Sequence, residues 1–268
     1  MNQKNEKVCI MGLGNIGLPT AHYISKHYPT IGYDIKEQAI LKAHQTGIPA
    51  TSNPTQADIY VIAVNTYFRN NTPDMSAINS CCQNISQLNP DALVCFESTL
   101  QVGTARKMAN THNLKYIAVC PHRWWEEEQT EHGVKQLRVL GTLNNESLNK
   151  AQQFYNTLQI PTHIVSNIET AEATKIAENA HRYVQIAFAE ELKIIASKNN
   201  LNFDEWRAAI NTKWNTALLE ARDGIGKECL PKDTAFLASL AQDTELLKGA
   251  MKTNDNYVQQ FVTKTKNS

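Results

Sequence analysis

The sequence predicts an α/β protein, in which a Rossmann-type doubly wound parallel sheet is followed by an all-helical domain. Three observations support this prediction. Short apolar runs alternate with helical patterns over residues 8–165, and a glycine-rich turn follows the first run. Residues 169–198 then contain neither Gly nor Pro. Alternating strands and helices are typical of a parallel sheet with crossover helices, whereas a long run without breakers indicates a long helix.

Six short apolar runs are the predicted strands. Their nearly continuous apolar character suits strands that are covered on both faces. They span residues 8–11, 30–33, 59–64, 92–96, 116–119 and 137–140. Because ligands bind at the carboxyl edge of a doubly wound sheet, we expect functional residues directly after these runs.

The second part of the chain is predicted to be helical. Residues 169–198 form a helix of roughly 45 Å at 1.5 Å per residue, long enough to bridge domains or subunits. Asn199-Asn200 ends this helix, and residues 202–204 cap the next one. A loop at residues 223–226 precedes a helix that opens at Pro231-Lys232-Asp233, and the chain closes in a polar tail.

The composition excludes several classes of protein. Lys and Arg number 26 and Asp and Glu also number 26, so neither a nucleic acid nor an anionic membrane is expected as the main partner. No apolar run approaches the roughly 18 residues of a membrane span, and no signal peptide is visible. The six cysteines form no CxxC pair, so no metal site is predicted. Four of them lie in apolar surroundings and are expected to be buried thiols of a reducing cytoplasm: Cys9, Cys82, Cys95 and Cys120.

The turn after the first strand has the Gly-x-Gly-x-x-Gly pattern of a dinucleotide site. Gly12 permits the tight turn, Gly14 lets a pyrophosphate approach the backbone, and Gly17 lets the helix pack on the strand. Asp34 lies 22 residues after Gly12, at the end of the second strand, where a carboxylate binds ribose hydroxyls. An acid there favours NAD over NADP, and Lys36 weakens that preference slightly. The predicted cofactor contacts here are Gly12, Gly14, Asn15, Ile16, Gly17, Asp34 and Lys36.

Three other segments carry groups suited to catalysis. Lys175 and Asn179 are four residues apart on the long helix and therefore share one face. Cys229 lies beside a glycine loop at a predicted helix start, a position that favours a thiolate. The segment Glu97–Thr104 runs from a strand end through a turn into a helix, at the ligand-binding edge of the sheet.

These motifs, taken in order, resemble the UDP-glucose/GDP-mannose dehydrogenase family. The family's last motif, Cys-Leu-Pro-Lys-Asp, is intact at Cys229–Asp233 and is the most specific of them. The Val-Pro-Thr-Pro segment is matched imperfectly by Val64–Tyr67. The other matching segments are Gly12–Pro19, Gly32–Asp34, Ser98–Thr104 and Ala171–Ala180.

The resemblance implies an NAD-dependent, four-electron oxidation of a primary alcohol to a carboxylate, with C6 of a nucleotide sugar as one candidate. Cys229 would trap the aldehyde as a thiohemiacetal, which is then oxidised to a thioester. Lys175 and Asn179 can donate hydrogen bonds to the oxyanion, and Asp233 can hold Lys175 or a water. Thr99 can position a water near the alcohol. The resemblance implies further NAD contacts after the third and fourth predicted strands, at Val64, Asn65, Thr66, Ser98 and Thr99. It implies substrate contacts at Arg123, Lys175, Asn179, Gly226 and Lys232.

The resemblance also implies a domain plan and an oligomer. Residues 1–167 would form the NAD-binding Rossmann domain, and residues 168–268 the helical central domain that carries Cys229. In the family the long helix packs against its twofold mate, so a homodimer through residues 169–198 is expected. The predicted contact face is Ala180, Val184, Ala187 and Glu191.

Two departures from the family pattern leave alternatives open. His122 replaces the glutamate implicated in thioester hydrolysis, so it is a base, a structural ring, or a sign that the second step is lost. Arg123 resembles the branch that acts on N-acetylhexosamine nucleotides, and Trp124-Trp125 forms either a pocket wall or core. The sequence also stops at Ser268, before the family's third domain. A partner protein would then complete the site, or the substrate is a smaller alcohol, or the sequence is a fragment.

Two other functions compete with this one. A two-electron dehydrogenase of the β-hydroxyacid type also sets a Lys and an Asn four apart on the interdomain helix, and in it Cys229 would be incidental. An NAD-binding module without turnover would instead regulate or scaffold a larger enzyme. The three are distinguished by the NADH formed: two per substrate, one, or none.

Overall fold

The structure is a computed structural model that describes residues 6–123, 133–226 and 228–263. The chain divides into two compact units, the first ending at Lys175 and the second beginning at Ile176. Trp124-Trp125 and Lys227 lie outside the described residues. Across the described ranges, no helix combines the length and the apolar character needed to cross a bilayer.

The first unit is built on an eight-stranded sheet with the strand order β10-β9-β8-β7-β4-β1-β2-β3. Its strands are β1 (Val8–Met11), β2 (Thr30–Tyr33), β3 (Ala50–Thr51), β4 (Ile59–Ile62), β7 (Leu93–Phe96), β8 (Tyr116–Val119), β9 (Arg138–Thr142) and β10 (Thr162–Ile164), with β5 (Tyr67–Arg69) and β6 (Thr72–Asp74) forming a separate hairpin. Its helices are α1 (Gly17–Ile24), α2 (Glu37–Gln45), α3 (Ser76–Leu88), α4 (Thr104–His112) and α5 (Asn145–Thr157). The predicted Rossmann-type fold is confirmed.

The sheet differs from a fully parallel one at its last two strands, β9 and β10, which both run opposite to the other six. β9 pairs with β8 in the antiparallel direction, with Val119 opposite Gly141, and β10 then pairs parallel to β9. The sequence did not indicate β10, because this three-residue edge strand is polar and half exposed. The hairpin β5–β6 was missed as well. Its turn residues Asn70 and Asn71 have φ values of 50° and 58°, which suit the type I′ turn of a two-residue hairpin.

The central strands are covered on both faces, as the sequence predicted. In β1, Cys9 and Met11 pack into one apolar cluster while Val8 and Ile10 pack into the other. Because neighbouring side chains of a strand point to opposite faces, each four-residue strand contributes two residues to each layer. This burial accounts for the continuous apolar runs.

The second unit begins within the long helix α6 (Ile168–Lys198) and continues through α7 (Phe203–Ile210), α8 (Cys229–Ala238), α9 (Glu245–Tyr257) and a π-helical turn (Val258–Val262). Asn202 caps α7 as predicted, since its side chain accepts hydrogen bonds from the backbone of residues 204 and 205. The prediction that the chain ends in a polar tail is wrong for residues 245–257, which form α9. Its composition is polar, but Ala250 and Tyr257 are buried and anchor it.

A buried carboxyl in α6 gives a stability prediction. Glu190 is fully buried, and neither side-chain oxygen has a hydrogen-bond partner among the described residues. Burial raises its pKa to about 7. The folded chain therefore holds this proton more tightly than the unfolded chain does, and the resulting stability is lost as the pH rises through about 7.

We expect Glu190→Gln to stabilise the protein at pH 8 and to have little effect at pH 5. The gain at pH 8 should be about 1–2 kcal/mol, because the amide removes a charge that burial penalises. Melting temperatures at both pH values measure it. Glu205→Gln, at an exposed position of α7, is the control and should change neither. An equal effect of Glu190→Gln at both pH values would contradict this explanation.

Candidate functional site

The glycine turn after β1 has the geometry of a pyrophosphate site. Gly12 has φ +96°, and a Cβ on it would stand 2.7 Å from the carbonyl oxygen of Ala63. A Cβ on Gly17 would overlap the carbonyl of Gly12, so both positions require glycine for the turn itself. A Cβ on Gly14 would meet nothing within 4 Å, which leaves open space where a phosphate approaches the backbone. Helix α1 begins here without a side-chain cap, so its N-terminus can bind an anion.

Asp34 is fixed beside this turn by two backbone groups. The N–H of Leu13 donates to its Oδ2 at 2.7 Å, and the N–H of Lys36 donates to its Oδ1 at 2.8 Å. The carboxylate is therefore held at the end of β2, next to the glycine turn that contains Asn15 and Ile16. An open phosphate cradle with an acid at the adjacent strand end fits NAD, which supplies the hydride acceptor of a dehydrogenase when bound.

The ends of β4 and β7 bring together the second group of predicted cofactor residues. The hydroxyl of Ser98 donates to the carbonyl of Val64 at 2.7 Å, and the hydroxyl of Thr66 donates to the carbonyl of Thr99 at 2.8 Å. Asn65 instead turns its amide toward the hydroxyl of Tyr67, at 3.4 Å. These residues lie at the carboxyl edge of adjacent strands, where the fold binds ligands.

Glu172 links this edge to the start of α6 and was missed by the sequence analysis. Its carboxylate accepts the backbone N–H groups of Gly103, at 2.6 Å, and Ala105, at 2.8 Å, at the N-terminus of α4. Burial raises its pKa to about 7, although these two N–H groups act to lower it. Lys175 follows one turn later, so Glu172 fixes the helix turn that carries it. Glu172 belongs to the matched segment Ala171–Ala180, which draws attention to the residue but does not indicate its backbone partners.

A buried charge network lies behind the sheet edge. Glu97 receives the Arg138 guanidinium at 2.9 Å and the Tyr155 hydroxyl at 3.1 Å, and all three side chains are at most 2% exposed. Burial acts to raise the pKa of Glu97, but Arg138 and His122 outweigh it and hold the pKa at about 2. The carboxylate is therefore ionised at all physiological pH values. No local pattern in the sequence indicates the role of Arg138, because this residue reaches Glu97 from another strand.

His122 belongs to the same network. Its Nε2 lies 2.5 Å from Oε2 of Glu97 and 3.0 Å from the hydroxyl of Thr20. Burial lowers its pKa, and the positive charges of Arg138 and Lys175 act in the same direction, while Glu97 acts to raise it without reversing the shift. The ring is therefore neutral at pH 7. These contacts favour a structural role for His122 over a role as a general base. The ring contacts side chains rather than backbone groups. Its Nδ1 has no partner among the described residues.

Arg123, predicted to bind substrate, makes a contact within the first unit. Its guanidinium donates to the carbonyl of Leu137 at 2.8 Å, and its own carbonyl accepts the Gln136 amide at 3.1 Å. This arrangement holds the segment after β8 against the start of β9. The role of Arg123 toward a substrate stays a prediction.

In the second unit, three of the predicted residues form one cluster. The amide of Asn179 donates to Oδ2 of Asp233 at 2.5 Å, and Lys232 pairs with the other oxygen. Asp233 is 1% exposed, and the Lys232 ammonium lies 4.5 Å from the centre of the Phe236 ring. Both oxygens of Asp233 are thus engaged by Asn179 and Lys232. The hydrogen bond to Asp233 orients the Asn179 amide, whose second N–H hydrogen can be donated to a ligand oxygen.

Cys229 is the first residue of α8, one turn before Lys232 and Asp233. It is exposed, whereas the other five cysteines are buried. Burial raises the pKa values of Cys9, Cys81 and Cys120 to about 12, so these thiols are inert. Gly226, just before it, is exposed and has open space around its Cα. The accessible thiol therefore stands at a helix start beside a lysine and a hydrogen-bonded carboxylate.

Models of two domains of one known family together match most of the chain. The NAD binding domain of the UDP-glucose/GDP-mannose dehydrogenase family matches residues 45–159, and the family's central domain matches residues 169–256. A UDP-N-acetyl-D-mannosamine dehydrogenase of Campylobacter jejuni is 30% identical over 297 aligned positions, covering 96% of this chain and 73% of that protein.

Solved structures show the same architecture. The UDP-D-ManNAc dehydrogenase of Pyrococcus horikoshii superimposes with a TM-score of 0.83 at 26% identity, covering 94% of this chain and 68% of the other. The 3-hydroxyisobutyrate dehydrogenase of Mycobacterium tuberculosis has a TM-score of 0.75 over 96% of this chain and 94% of its own, but at 15% identity it shows the fold alone. The chain therefore belongs to the UDP-glucose/GDP-mannose dehydrogenase family and is an NAD-dependent dehydrogenase.

Proposed function

We propose that this enzyme oxidises the C6 hydroxymethyl group of a UDP-N-acetylhexosamine to a carboxylate, with Cys229 as the nucleophile. The observation that carries the proposal is the exposed thiol at the start of α8, one turn before the Lys232–Asp233–Asn179 cluster. The substrate class rests on the relatives, which are UDP-N-acetyl-D-mannosamine dehydrogenases. Arg123, after the replaced glutamate, agrees with the N-acetylhexosamine branch.

The chemistry follows from the residue types. With NAD as the hydride acceptor in both oxidations, the alcohol carbon would lose a hydride and the hydroxyl a proton to give an aldehyde. The Cys229 thiolate adds to the carbonyl carbon of this aldehyde, and the thiohemiacetal would lose a second hydride and a proton to become a thioester. Asn179, oriented by Asp233, and Lys175, one turn away on α6, donate hydrogen bonds to the oxyanion. Water then attacks the thioester carbon, the C–S bond breaks, and the thiolate is restored. We assign Thr99 to positioning a water near the alcohol, and Gly226 and Lys232 to substrate contact.

The glycine turn gives a direct prediction about the cofactor. We expect Gly14→Ala to weaken NAD binding about 10-fold or more, because the methyl group enters the open space at the phosphate cradle. The apo melting temperature should stay the same, since a Cβ there touches nothing in the chain. Gly249→Ala, inside α9, is the control and should leave NAD binding intact. Isothermal titration with NAD measures both variants, and unchanged affinity in Gly14→Ala would remove the turn from the NAD site.

Thermal melting with ligands tests the substrate class. A ligand at 100 times its dissociation constant adds about 2.7 kcal/mol to the stability of the state it binds. A rise with NAD and a further rise with UDP would support oxidation of a nucleotide sugar. A rise with NAD alone would overturn the UDP part and direct the search to smaller hydroxymethyl compounds or to a partner protein that completes the site. Two NADH per substrate are expected for carboxylate formation.

We also propose a homodimer through α6, with a changed contact face. Ala180 and Ala187 were predicted to face the partner, but they are 1% and 2% exposed and are therefore buried within a single copy of the chain. The exposed stripe of α6 instead carries Phe188, which is 56% exposed, and Ile195, which is 41% exposed, at the spacing of two helical turns. Val184 lies on the same stripe and remains in the proposed face.

Phe188→Asp should convert the dimer to a monomer. A charge in place of a central aromatic anchor costs about 2 kcal/mol or more, equivalent to a roughly 30-fold weaker association. Sedimentation velocity at micromolar concentration measures it, and Leu246→Asp, at an exposed position of α9, is the control. Only monomer in the unmodified protein would contradict the dimer.

We propose the domain boundary near residue 167 and a cytoplasmic location. Helix α6 begins at Ile168, which supports assigning residues 1–167 to NAD binding and residues 168–268 to the central domain.

The cytoplasmic location is supported by the cysteines. All six are free thiols, a state typical of reducing compartments.

A further inference from the structure

The loop that leads into Cys229 is held by the C-terminal helix α9. The backbone N–H of Ile225 donates to Oδ1 of Asn254 at 2.7 Å in a buried hydrogen bond. Asn254 is 8% exposed and Ile225 is 7% exposed. Because a buried backbone N–H must find an acceptor, this one bond determines where the loop runs.

Two other contacts join the same loop to the end of α9. The Tyr257 hydroxyl donates to the carbonyl of Arg222 at 2.6 Å. Gly224 has φ +82°, and a Cβ on it would stand 2.5 Å from Cγ2 of Val258, so the loop lies directly on the helix. Val258 opens the π-helical turn, a feature that occurs frequently at functional sites. The segment 222–225 is thus fixed at three successive points.

Asn254 also connects this loop to the catalytic part of α6. Its side chain lies close enough to Tyr183 to act to lower the pKa of that phenol, and Tyr183 lies one turn after Asn179. Only residues 226–228 separate Ile225 from Cys229. A displacement of Ile225 is therefore passed to Cys229 over a very short segment, while Asn179 stays fixed on its helix.

We propose that Asn254 is a positioning residue for Cys229. It keeps the glycine loop and the α6 turn after Asn179 in a fixed relative position. The Cys229 thiol can then attack a carbon atom while the Asn179 amide donates a hydrogen bond to the oxygen on that carbon. The proposal rests on the proposed function, in which Cys229 is the nucleophile and Asn179 the oxyanion donor. It gives α9 a part in catalysis without placing any α9 side chain on the substrate.

The test compares two substitutions at Asn254. Asn254→Leu has a similar size but no acceptor, whereas Asn254→Asp retains Oδ1. We expect Asn254→Leu to lower kcat for NADH formation about 10- to 100-fold, because small displacements of reacting groups have effects of this size. The KM for NAD should stay within about twofold, since the glycine turn is untouched. Asn254→Asp should restore most of kcat, and Asn256→Leu, at an exposed position of the same helix, should resemble the unmodified protein.

A second measurement needs no substrate. Iodoacetamide should alkylate Cys229 alone in the native protein, because the other five thiols are buried. Because Cys229 is exposed at the start of α8, a displacement can only reduce the access of the reagent to its thiol, and alkylation should slow about two- to fivefold in Asn254→Leu and not in Asn254→Asp. Accessibility cannot rise much, since Cys229 is already exposed.

The two measurements separate this proposal from the proposed function. If the unmodified protein forms no NADH from any nucleotide sugar, the proposed function fails, while slower alkylation in Asn254→Leu alone still supports the positioning role. Unchanged kcat and alkylation in folded Asn254→Leu would overturn that role. Equal losses in Asn254→Leu and Asn254→Asp would overturn it too, because the acceptor oxygen would then be irrelevant.

Discussion

Replacing Cys229 by serine is expected to abolish carboxylate formation, with a loss of about 10³-fold or more in turnover. A serine hydroxyl at neutral pH is a far weaker nucleophile than a thiolate, and the alkoxide is a poor leaving group in the hydrolytic step. The thiol is also the accessible one, since the other five cysteines are buried. Product analysis by mass spectrometry, together with the NADH formed per substrate, measures the effect.

The control for this prediction is Cys81→Ala. Cys81 is 4% exposed in the first unit, so its replacement tests the loss of a cysteine away from the site. It should leave the stoichiometry at two NADH per substrate. If Cys229→Ser instead keeps near-normal turnover with one NADH per substrate, the enzyme is a two-electron dehydrogenase and Cys229 is incidental. If the unmodified protein and Cys229→Ser both bind NAD but neither forms NADH, the chain is the non-catalytic NAD-binding module.

Arg138→Met is expected to produce the largest loss of stability. The substitution leaves the buried Glu97 carboxylate without its strongest partner, which costs about 3–5 kcal/mol. For a chain of this size we expect the melting temperature to fall by about 10 °C. Arg106→Met is the matched control, because it breaks a half-exposed pair with Glu169 and should cost about 1 kcal/mol or less.

The loss in Arg138→Met should depend on pH. In the unmodified protein the pKa values of Glu97 and His122 are both lowered. Groups of this kind contribute stability above their unfolded pKa values, and that stability is lost as the pH falls. Without the Arg138 charge, His122 can take a proton and pair with Glu97, so the variant should be least impaired near pH 5.5 and most impaired at pH 8.

A double variant checks this explanation. Glu97→Gln added to Arg138→Met removes the unpaired charge and should recover at least half of the lost stability, because replacing both partners of a buried pair is tolerated better than replacing one. No recovery would mean that Arg138 stabilises the fold through packing rather than through charge.

The sequence predicted the parts of the site that obey local rules. The glycine turn must follow a strand and precede a helix, so Gly12, Gly14 and Gly17 could be placed from spacing alone. Asp34 followed from its position at the end of the next strand. The shared helix face of Lys175 and Asn179 followed from helical periodicity, and Cys229 was singled out as the candidate nucleophile by its motif.

The remaining parts of the site could not be predicted because they join distant segments. Glu172 reaches Gly103 and Ala105 across more than 60 positions, and Arg138 reaches Glu97 from another strand. Asn254 meets Ile225 from a helix whose composition suggested a tail. None of these pairs has a local pattern, since only the packing of elements decides which polar groups are buried together.

By itself the sequence determined the fold class and the cofactor turn, and it predicted Cys229 as the nucleophile. These depend on periodicity and on the demands of glycine geometry, which neighbouring residues express directly. The tertiary structure alone decided the direction of β9, the burial of Ala180 and Ala187, and the neutral state of His122 in a network with Glu97. Strand direction, burial and charge depend on which surfaces exclude water from one another, and that is fixed only when elements far apart in the chain come together.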